Sequence, residues 1–113
     1  KTIMSSSLTR TIAYKMVAGF AKDELFSGVT TIRTVGGLGN FDTRLRDEIE
    51  SGTKLGPRIL AANQGISVPG GHMAGSVAVA ASTIPDALKQ LEKAKQEKVD
   101  LIKLMITGGV LFC

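Results

Sequence analysis

The chain has 113 residues, of which 43% are hydrophobic and 21% charged, the size and composition of one modest globular domain. Aromatic residues make up only 4% and there are 13 glycines, so α/β packing is favoured over a β-sandwich filled with large rings. The net charge of +4 comes without interleaved aromatic residues, and no apolar run approaches the roughly 20 residues of a membrane span, so we expect neither a nucleic-acid partner nor a membrane segment.

The first element in chain order is a helix followed by a short strand. Ser7 can cap the helix, Gly28 ends it, and an apolar stripe repeats every four residues along it: Leu8, Ile12, Met16 and Phe20. The β-branched run "VTTIRTV" (29–35) then predicts a strand, which "GGLGN" breaks. The Gly-x-Gly in that loop lacks the third glycine of a dinucleotide fingerprint, so we reject a nucleotide site there.

The next helix begins near residue 41 and precedes a second strand. Asn40 or Asp42 can cap it and Gly52 ends it, and its inward stripe is predicted to be Phe41, Leu45 and Ile49. "RILAAN" (58–63) predicts the second strand, and a long glycine-rich loop, "QGISVPGGHMAGS", follows.

The third helix has the clearest start signal in the chain. Thr83 is its predicted cap, Pro85 lies in the first turn and Asp86 has capping-box spacing. Its predicted packing face consists of Ala87, Leu88, Leu91 and Ala94. The last strand is "LIKLMIT" (101–107), so three strands alternate with helices and no hairpin signal interrupts them. This order predicts an α/β fold with parallel strands and right-handed crossovers, in a single domain over 1–113.

Lys103 is the anomaly of the last strand, since its neighbours are apolar. Alternation places it on one face with Leu101, Met105 and Thr107, whereas Ile102, Leu104 and Ile106 form an aliphatic face suited to contact with helices. A lysine here can keep its ammonium group in water above a buried stem. Alternatively, burial lowers its pKa, and the neutral amine forms a Schiff base or reacts with carbon dioxide to give a carbamate.

Three segments together resemble the amidohydrolase superfamily, in its imidazolonepropionase-like and prolidase-like branch: "GVTTIRTVGG", "GPRILAANQGISVPGGH" and "DLIKLMITGGV". The resemblance extends from about residue 8 to 110. It implies a partial (β/α)8 TIM barrel, from helix 1 to strand 4. It also implies a hydrolase of amide, dipeptide or cyclic-amide C–N bonds, in which Lys103, as a carbamate, bridges two divalent metal ions, usually zinc. Such residues lie toward the carboxyl ends of barrel strands.

The resemblance also implies ligands that this sequence lacks. The family's His-x-His pair on strand 1, and the two histidines and aspartate of strands 5, 6 and 8, are not in the chain, so we expect an incomplete domain that is inactive alone. His72, the single histidine, follows "PGG" and is implied to contact substrate. A Schiff-base enzyme that uses Lys103, and a non-catalytic fragment that self-associates through open strand edges, are the alternatives. The expected partners are a small-molecule or dipeptide substrate and either a second copy or the remainder of the barrel.

Single residues outside these motifs also carry expectations. Thr34 stands where the family has aspartate, so a hydrogen bond of that carboxylate is in question. For Arg33 we expect a structural ion pair rather than a role in lining the barrel. The glycines after Thr107 predict a tight turn. Cys113 is terminal and cannot form an internal disulfide, which favours a reducing compartment such as the cytoplasm.

Overall fold

The computed structural model describes residues 5–108, and within that range every strand pairing is parallel. β1 pairs with β2, and β3 pairs with both β4 and β5. The elements, in chain order, are α1 (Ser7–Phe26), β1 (Thr31–Thr34), α2 (Phe41–Glu50), β2 (Arg58–Ala61), β3 (Gly65–Ser67), β4 (Ala78–Ala80), α3 (Ile84–Gln96) and β5 (Leu104–Met105). The predicted parallel α/β fold is confirmed. Within 5–108, no helix has both the length and the apolar character needed to cross a membrane.

The prediction of three strands was incomplete, because the glycine-rich loop contains β3 and leads into β4. β2 and β3 are two parts of one extended segment, residues 58–67, divided by a bend at Asn63, whose φ is +56°. Backbone hydrogen bonds continue across the bend, from Gly37 N to Asn63 O and from Asp100 N to Ala61 O, both 2.8 Å. This extended segment therefore lies between β1 and β5.

The bend also changes which side chains point toward the helices. Before it, Ile59 and Ala61 are buried in the core beneath α1 and α2. Strict alternation would place Gly65 on that same side. After the bend, Ile66 instead faces α3, where it lines a small cavity with Val79 and Ile102. The left-handed residue thus shifts the alternation by one position.

The core lies in the first half of the chain, between α1, α2 and the β1–β2 sheet. It is formed by Tyr14, Ala21, Phe41, Leu45, Ile59 and Ala61. The rings of Tyr14 and Phe41 meet edge to face with centroids 5.3 Å apart, a favoured aromatic geometry. Phe41 and Leu45 are buried and Ile49 packs against them, so the stripe predicted for α2 is confirmed.

The prediction for α1 was wrong in its packing face and its cap. The side chains of the apolar stripe are all at least half exposed, namely Leu8, Ile12, Met16 and Phe20. The helix packs through a different face, on which the buried Tyr14 lies among smaller residues, Ala13, Val17, Ala18 and Ala21. The cap is Ser6 rather than Ser7, because Ser6 Oγ accepts from Thr9 N at 3.2 Å.

The start of α3 is confirmed, and its predicted packing face is confirmed only in part. Thr83 Oγ1 accepts from Asp86 N, as a capping residue should. Leu88 is 59% exposed and Leu91 39%, and no residue of α3 is buried. Ala87 and Ala94 of the predicted face are half-buried, and Ala94 lines a small cavity with Ile66 and Val79. Lys93 Nζ also donates to Gln64 Oε1 at 3.3 Å on the exposed side of this contact.

Candidate functional site

Lys103 lies immediately before β5 and is half-buried. Its carbonyl accepts from Ile66 N at 2.8 Å, which joins this segment to β3. The predicted alternation is present up to residue 106, since Leu101 and Met105 are half-buried like Lys103 and the intervening Ile102, Leu104 and Ile106 are exposed. Thr107, which was predicted on the face of Lys103, is exposed. Of that aliphatic set, Ile102 lines the cavity beneath α3. The contact predicted between helices and the whole set is therefore only partly formed.

Glycines on the neighbouring strands leave room for the lysine. A Cβ atom placed on Gly65 would lie 3.3 Å from Lys103 Cγ and 3.2 Å from Met105 Cε. A Cβ atom on Gly36 would likewise lie 3.7 Å from Met105 Cε. Because Ile66 and Ile102 alternate with Gly65 and Lys103 and line the cavity beneath α3, Lys103 lies on the face of the sheet away from α3.

The described β5 is shorter than the predicted strand, which changes the place of Lys103 along it. Only Leu104 and Met105 are in ladder register with β3. Lys103 is level with the beginning of β3, not with its carboxyl end, where the resemblance would place it. Gly108 follows with φ +78°, so the predicted turn is present there, whereas Gly109 and Cys113 lie outside the described residues.

An ion pair anchors the segment that leads to Lys103. The side chain of Arg46 is 9% exposed, and its Nη1 donates to Asp100 Oδ2 at 2.7 Å and to Lys98 O at 2.9 Å. Asp100 Oδ2 also accepts from Ala61 N at 2.9 Å. The Ala61 amide first, and the Arg46 guanidinium second, lower the pKa of the Asp100 carboxyl. This carboxylate thus ties β2, α2 and the lysine segment together.

Asn63 forms a second connection that the sequence did not reveal. It is 1% exposed, its Oδ1 accepts from Thr43 N, and its Nδ2 donates to Thr43 Oγ1, each at 3.0 Å. Nδ2 also donates to Glu97 Oε2 at 2.9 Å, just beyond the end of α3. A polar residue at the end of an apolar strand is the available signal, since asparagine tolerates the left-handed region better than most residues.

His72 is exposed in the turns that connect β3 to β4. The preceding glycines let this loop fold back on β3, because a Cβ on Gly71 would lie 2.8 Å from Ser67 Oγ. Ser67 is paired with Met105, so the loop begins on the strand next to the lysine segment. No hydrogen bond joins His72 to Lys103 in the part of the chain that the structure describes.

Thr34 and Asp42 form a buried pair that the sequence reading missed, because it treated Asp42 as a possible cap. Asp42 is 6% exposed, and its carboxylate occupies the space that a Cβ on Gly37 would need. Neither Asp42 Oδ2 nor Thr34 Oγ1 has a hydrogen-bond partner in the described part of the chain. Burial raises the pKa of the Asp42 carboxyl, and the adjacent Thr34 hydroxyl offsets part of the rise without reaching hydrogen-bond geometry.

The opposite face of β1 carries Arg33, which is exposed. The ion pair predicted for Arg33 is not formed within residues 5–108.

The described residues do not form a metal site, because no three of their His, Cys, Asp or Glu side chains lie close enough together to hold an ion. Lys103 and His72 by themselves do not make a metal site, and a two-metal centre needs ligands from further polypeptide.

The chain is similar to solved structures of hydrolases. It is 37% identical to a Bifidobacterium longum protein assigned as a prolidase, with a TM-score of 0.76, over 85% of this chain and 24% of that one. It is 30% identical to a Xaa-Pro dipeptidase with methionine bound in its active site, with a TM-score of 0.69, over 99% of this chain and 30% of that one.

A more distant similarity supports the fold alone. An ochratoxinase from A. niger shares 14% identity with a TM-score of 0.79, over 96% of this chain and 31% of that one. The chain thus spans about a quarter to a third of the length of the structures it matches. Neither a protein-family model nor a curated protein sequence matches it.

Proposed function

Since the chain belongs to the amidohydrolase superfamily and has the fold of a partial (β/α)8 barrel, we propose that the whole protein hydrolyses C–N bonds of amides, dipeptides or cyclic amides. The observation that carries the proposal is the position of Lys103, half-buried over Gly65 on the face away from α3. On that face the stem of Lys103 lies over Gly65.

The proposed role of Lys103 follows from amine chemistry. Its neutral amine attacks carbon dioxide, a new N–C bond forms, and the nitrogen releases one proton. The product is a carbamate, which is an anionic oxygen donor on a long side chain. Met105 lies on the same face, over Gly65 and close to Gly36.

Divalent metal ions, zinc by resemblance, would supply an activated water and polarise the scissile carbonyl. The described residues alone do not hold them, so the Lys103 carbamate is proposed as one ligand among several. His72, exposed near the strand beside the lysine, is proposed to contact the substrate. An Xaa-Pro dipeptide is the substrate class to test first, given the dipeptidase similarity.

The test compares two lysine variants in the whole protein, Lys103→Ala and the control Lys89→Ala on the exposed surface of α3. We expect Lys103→Ala to lose bound metal, measured by elemental analysis per chain, and to lose at least about a hundredfold in dipeptide hydrolysis. Lys89→Ala should retain both. Metal loading of stripped protein should also require bicarbonate, since the carbamate carbon comes from carbon dioxide.

Full metal content and activity in Lys103→Ala would contradict the proposal. The Schiff-base alternative gives a different result: borohydride with a carbonyl substrate would attach a label to Lys103, and chelators would leave activity intact.

We further propose that other polypeptide covers the exposed apolar side chains of α1 and of residues 102–106, as the remainder of a barrel or a second copy. The side chains in question include Phe20, 62% exposed, and Ile106, 72% exposed. Such exposure supports contact with further protein. Light scattering of the 113-residue chain tests the second copy directly, because a concentration-independent monomer excludes self-association.

A further inference from the structure

A cavity of about 230 Å³ lies between the beginnings of α1 and α2. Its wall is formed by six residues from these two helix starts: Ser7, Arg10, Thr11, Asn40, Phe41 and Arg44. Apart from the buried Phe41 they are exposed, so their polar groups can be reached from solvent. At about 30 Å³ for each water-sized group, the space takes roughly eight such groups.

The cavity lies on the side of α1 opposite the exposed apolar stripe. Ser7, Arg10 and Thr11 have i, i+3 and i+4 spacing, and their row continues to the buried Tyr14. Polypeptide that packs on the stripe therefore approaches α1 from the other side. Lys103 does not line this cavity, so the cavity is also separate from the candidate site.

Two contacts hold the Arg44 guanidinium at the cavity. Its Cζ lies 4.0 Å from the centroid of the Tyr14 ring, and its Nε donates to Glu48 Oε1 at 3.1 Å. Neither contact uses a hydrogen atom on Nη1 or Nη2, and among residues 5–108 no acceptor bonds them. A guanidinium that is fixed in place with both terminal nitrogens available can bind an oxyanion through two parallel hydrogen bonds.

Positive charge is in excess around the cavity, and no acidic side chain of the described residues lines it. Glu48, the partner of Arg44, also accepts from Tyr14 Oη at 2.5 Å and lies 3.8 Å from Lys54 Nζ, so Lys54 shares its charge. The guanidinium of Arg10 has no ion pair or hydrogen bond within the described part of the chain. The amino-terminal ends of α1 and α2 add further positive potential.

We propose that this cavity binds a phosphate group, free or as a monoester, between the guanidinium groups of Arg10 and Arg44. Both guanidinium groups donate hydrogen bonds to its oxygens. The Ser7 hydroxyl and the Asn40 side-chain amide, which makes no capping bond to α2, supply further donors. A phosphate monoester carries about −1.5 to −2 charges near pH 7 and three acceptor oxygens, so it compensates both arginines. A carboxylate has a single charge and one oxygen fewer.

The proposal is tested by titrating the full chain with methyl phosphate and, separately, with inorganic phosphate at constant ionic strength, and following backbone amide shifts by NMR. We expect saturable shifts in residues 7–11 and 40–44, with a Kd of about 1 mM. The ligand that binds more tightly shows whether the cavity takes the free ion or an ester. Acetate should bind at least about tenfold more weakly, because it makes fewer charge-assisted hydrogen bonds.

Two variants and a control assign the contacts. Arg10→Gln and Arg44→Gln should each weaken the binding of methyl phosphate at least about tenfold, because each removes a charged donor. The matched control is Lys15→Gln, which removes the same charge from an exposed position of α1 that does not line the cavity. It should change the Kd by less than about twofold, since an exposed charge outside the cavity is largely screened by salt.

Thermal unfolding of each variant establishes that it is folded. Arg10 makes no side-chain contact within the described residues, so Arg10→Gln tests the site even if Arg44→Gln disturbs the contacts to Tyr14 and Glu48.

Any of three results would overturn the proposal. One is the absence of saturable shifts with both phosphate ligands. Another is equal affinity for acetate, which would show that the cavity does not recognise phosphate. The last is a Kd in Arg10→Gln that equals the Kd in Lys15→Gln, which would assign the effect to the overall charge of the chain.

Discussion

Different interactions stabilise the two halves of the described chain. From α1 to β2, apolar burial dominates, with Leu45 and Phe41 almost completely enclosed. From β3 to residue 106, the side chains of Leu88, Leu104 and Ile106 are each more than half exposed, and no residue of α3 is buried. The second half is attached through Asn63 and the Arg46–Asp100 pair.

This difference matters because both candidate site residues, Lys103 and His72, belong to the second half. A site that needs exact placement usually rests on packed elements. Here the lysine segment is positioned by hydrogen bonds that originate in the packed half, from Arg46 and from the Ala61 amide. The first half thus acts as the support on which the segment bearing Lys103 is aligned.

The largest expected effect comes from truncating one leucine in each half. Leu45→Ala should lower the free energy of unfolding by about 2–5 kcal/mol, because Leu45 is 2% exposed and its loss leaves a cavity. Leu88→Ala, at a position 59% exposed, should change it by no more than about 0.5 kcal/mol. Urea unfolding followed by circular dichroism measures both. Equal losses would show that α3 packs as tightly as α2 and would remove the contrast.

A smaller effect is expected at the link between the halves. Asp100→Asn should cost about 1–2 kcal/mol, since it weakens the hydrogen bonds from Arg46 and Ala61 at a partly exposed carboxylate. The matched control is Asp47→Asn, because Asp47 also bonds Arg46 but is 63% exposed, and it should cost no more than about 0.5 kcal/mol.

The pH dependence of the unfolding free energy lost in Asp100→Asn shows whether the carboxylate charge causes the loss. The pKa of Asp100 is lowered from its ordinary 3.8 by the folded structure, so the stabilisation is complete above that value and is lost as the pH falls through the lowered pKa. Wild type and Asp100→Asn should therefore converge in acid. A difference in unfolding free energy that stays constant from neutral to strongly acidic pH would show that the carboxylate charge is not involved.

Element order, strand direction and the α2 core stripe were predictable because each depends on local periodicity. The stripe on α1 misled because Leu8, Ile12, Met16 and Phe20 are periodic without being buried. Periodicity shows that side chains share a face but does not show which face approaches the sheet. The face that carries the smaller side chains of Ala13 and Ala21 can approach the sheet more closely.

The sequence predicted single residues of the candidate site but not the contacts that position them. The unusual setting of Lys103 could be read from its apolar neighbours, and its face follows from alternation. An asparagine at the end of an apolar strand was a signal for the bend, but the hydrogen bonds of Asn63 could not be foreseen, since Thr43 and Glu97 are 20 and 34 residues away. The burial of Asp42 was missed because the residue was treated as a possible helix cap, whereas the fold places Gly37 against its carboxylate.

The smallest effect is expected at Asp42, and its sign is opposite to that at Asp100. Asp42→Asn should raise the free energy of unfolding at neutral pH by about 1 kcal/mol, because it removes a buried charge whose Oδ2 has no hydrogen-bond partner among residues 5–108. Burial raises the pKa of Asp42 above 3.8, so the native state holds its proton more tightly and wild-type stability falls as the pH rises from 3.8 through the raised value. The advantage of Asp42→Asn should therefore be small in acid, grow across that interval and then level off. Urea unfolding at a series of pH values, with Asp23→Asn as the exposed control, measures this. An advantage that shrinks as the pH rises would mean that the carboxylate is stabilised by a donor in solution, and the packed half would then depend on a polar contact as the second half does.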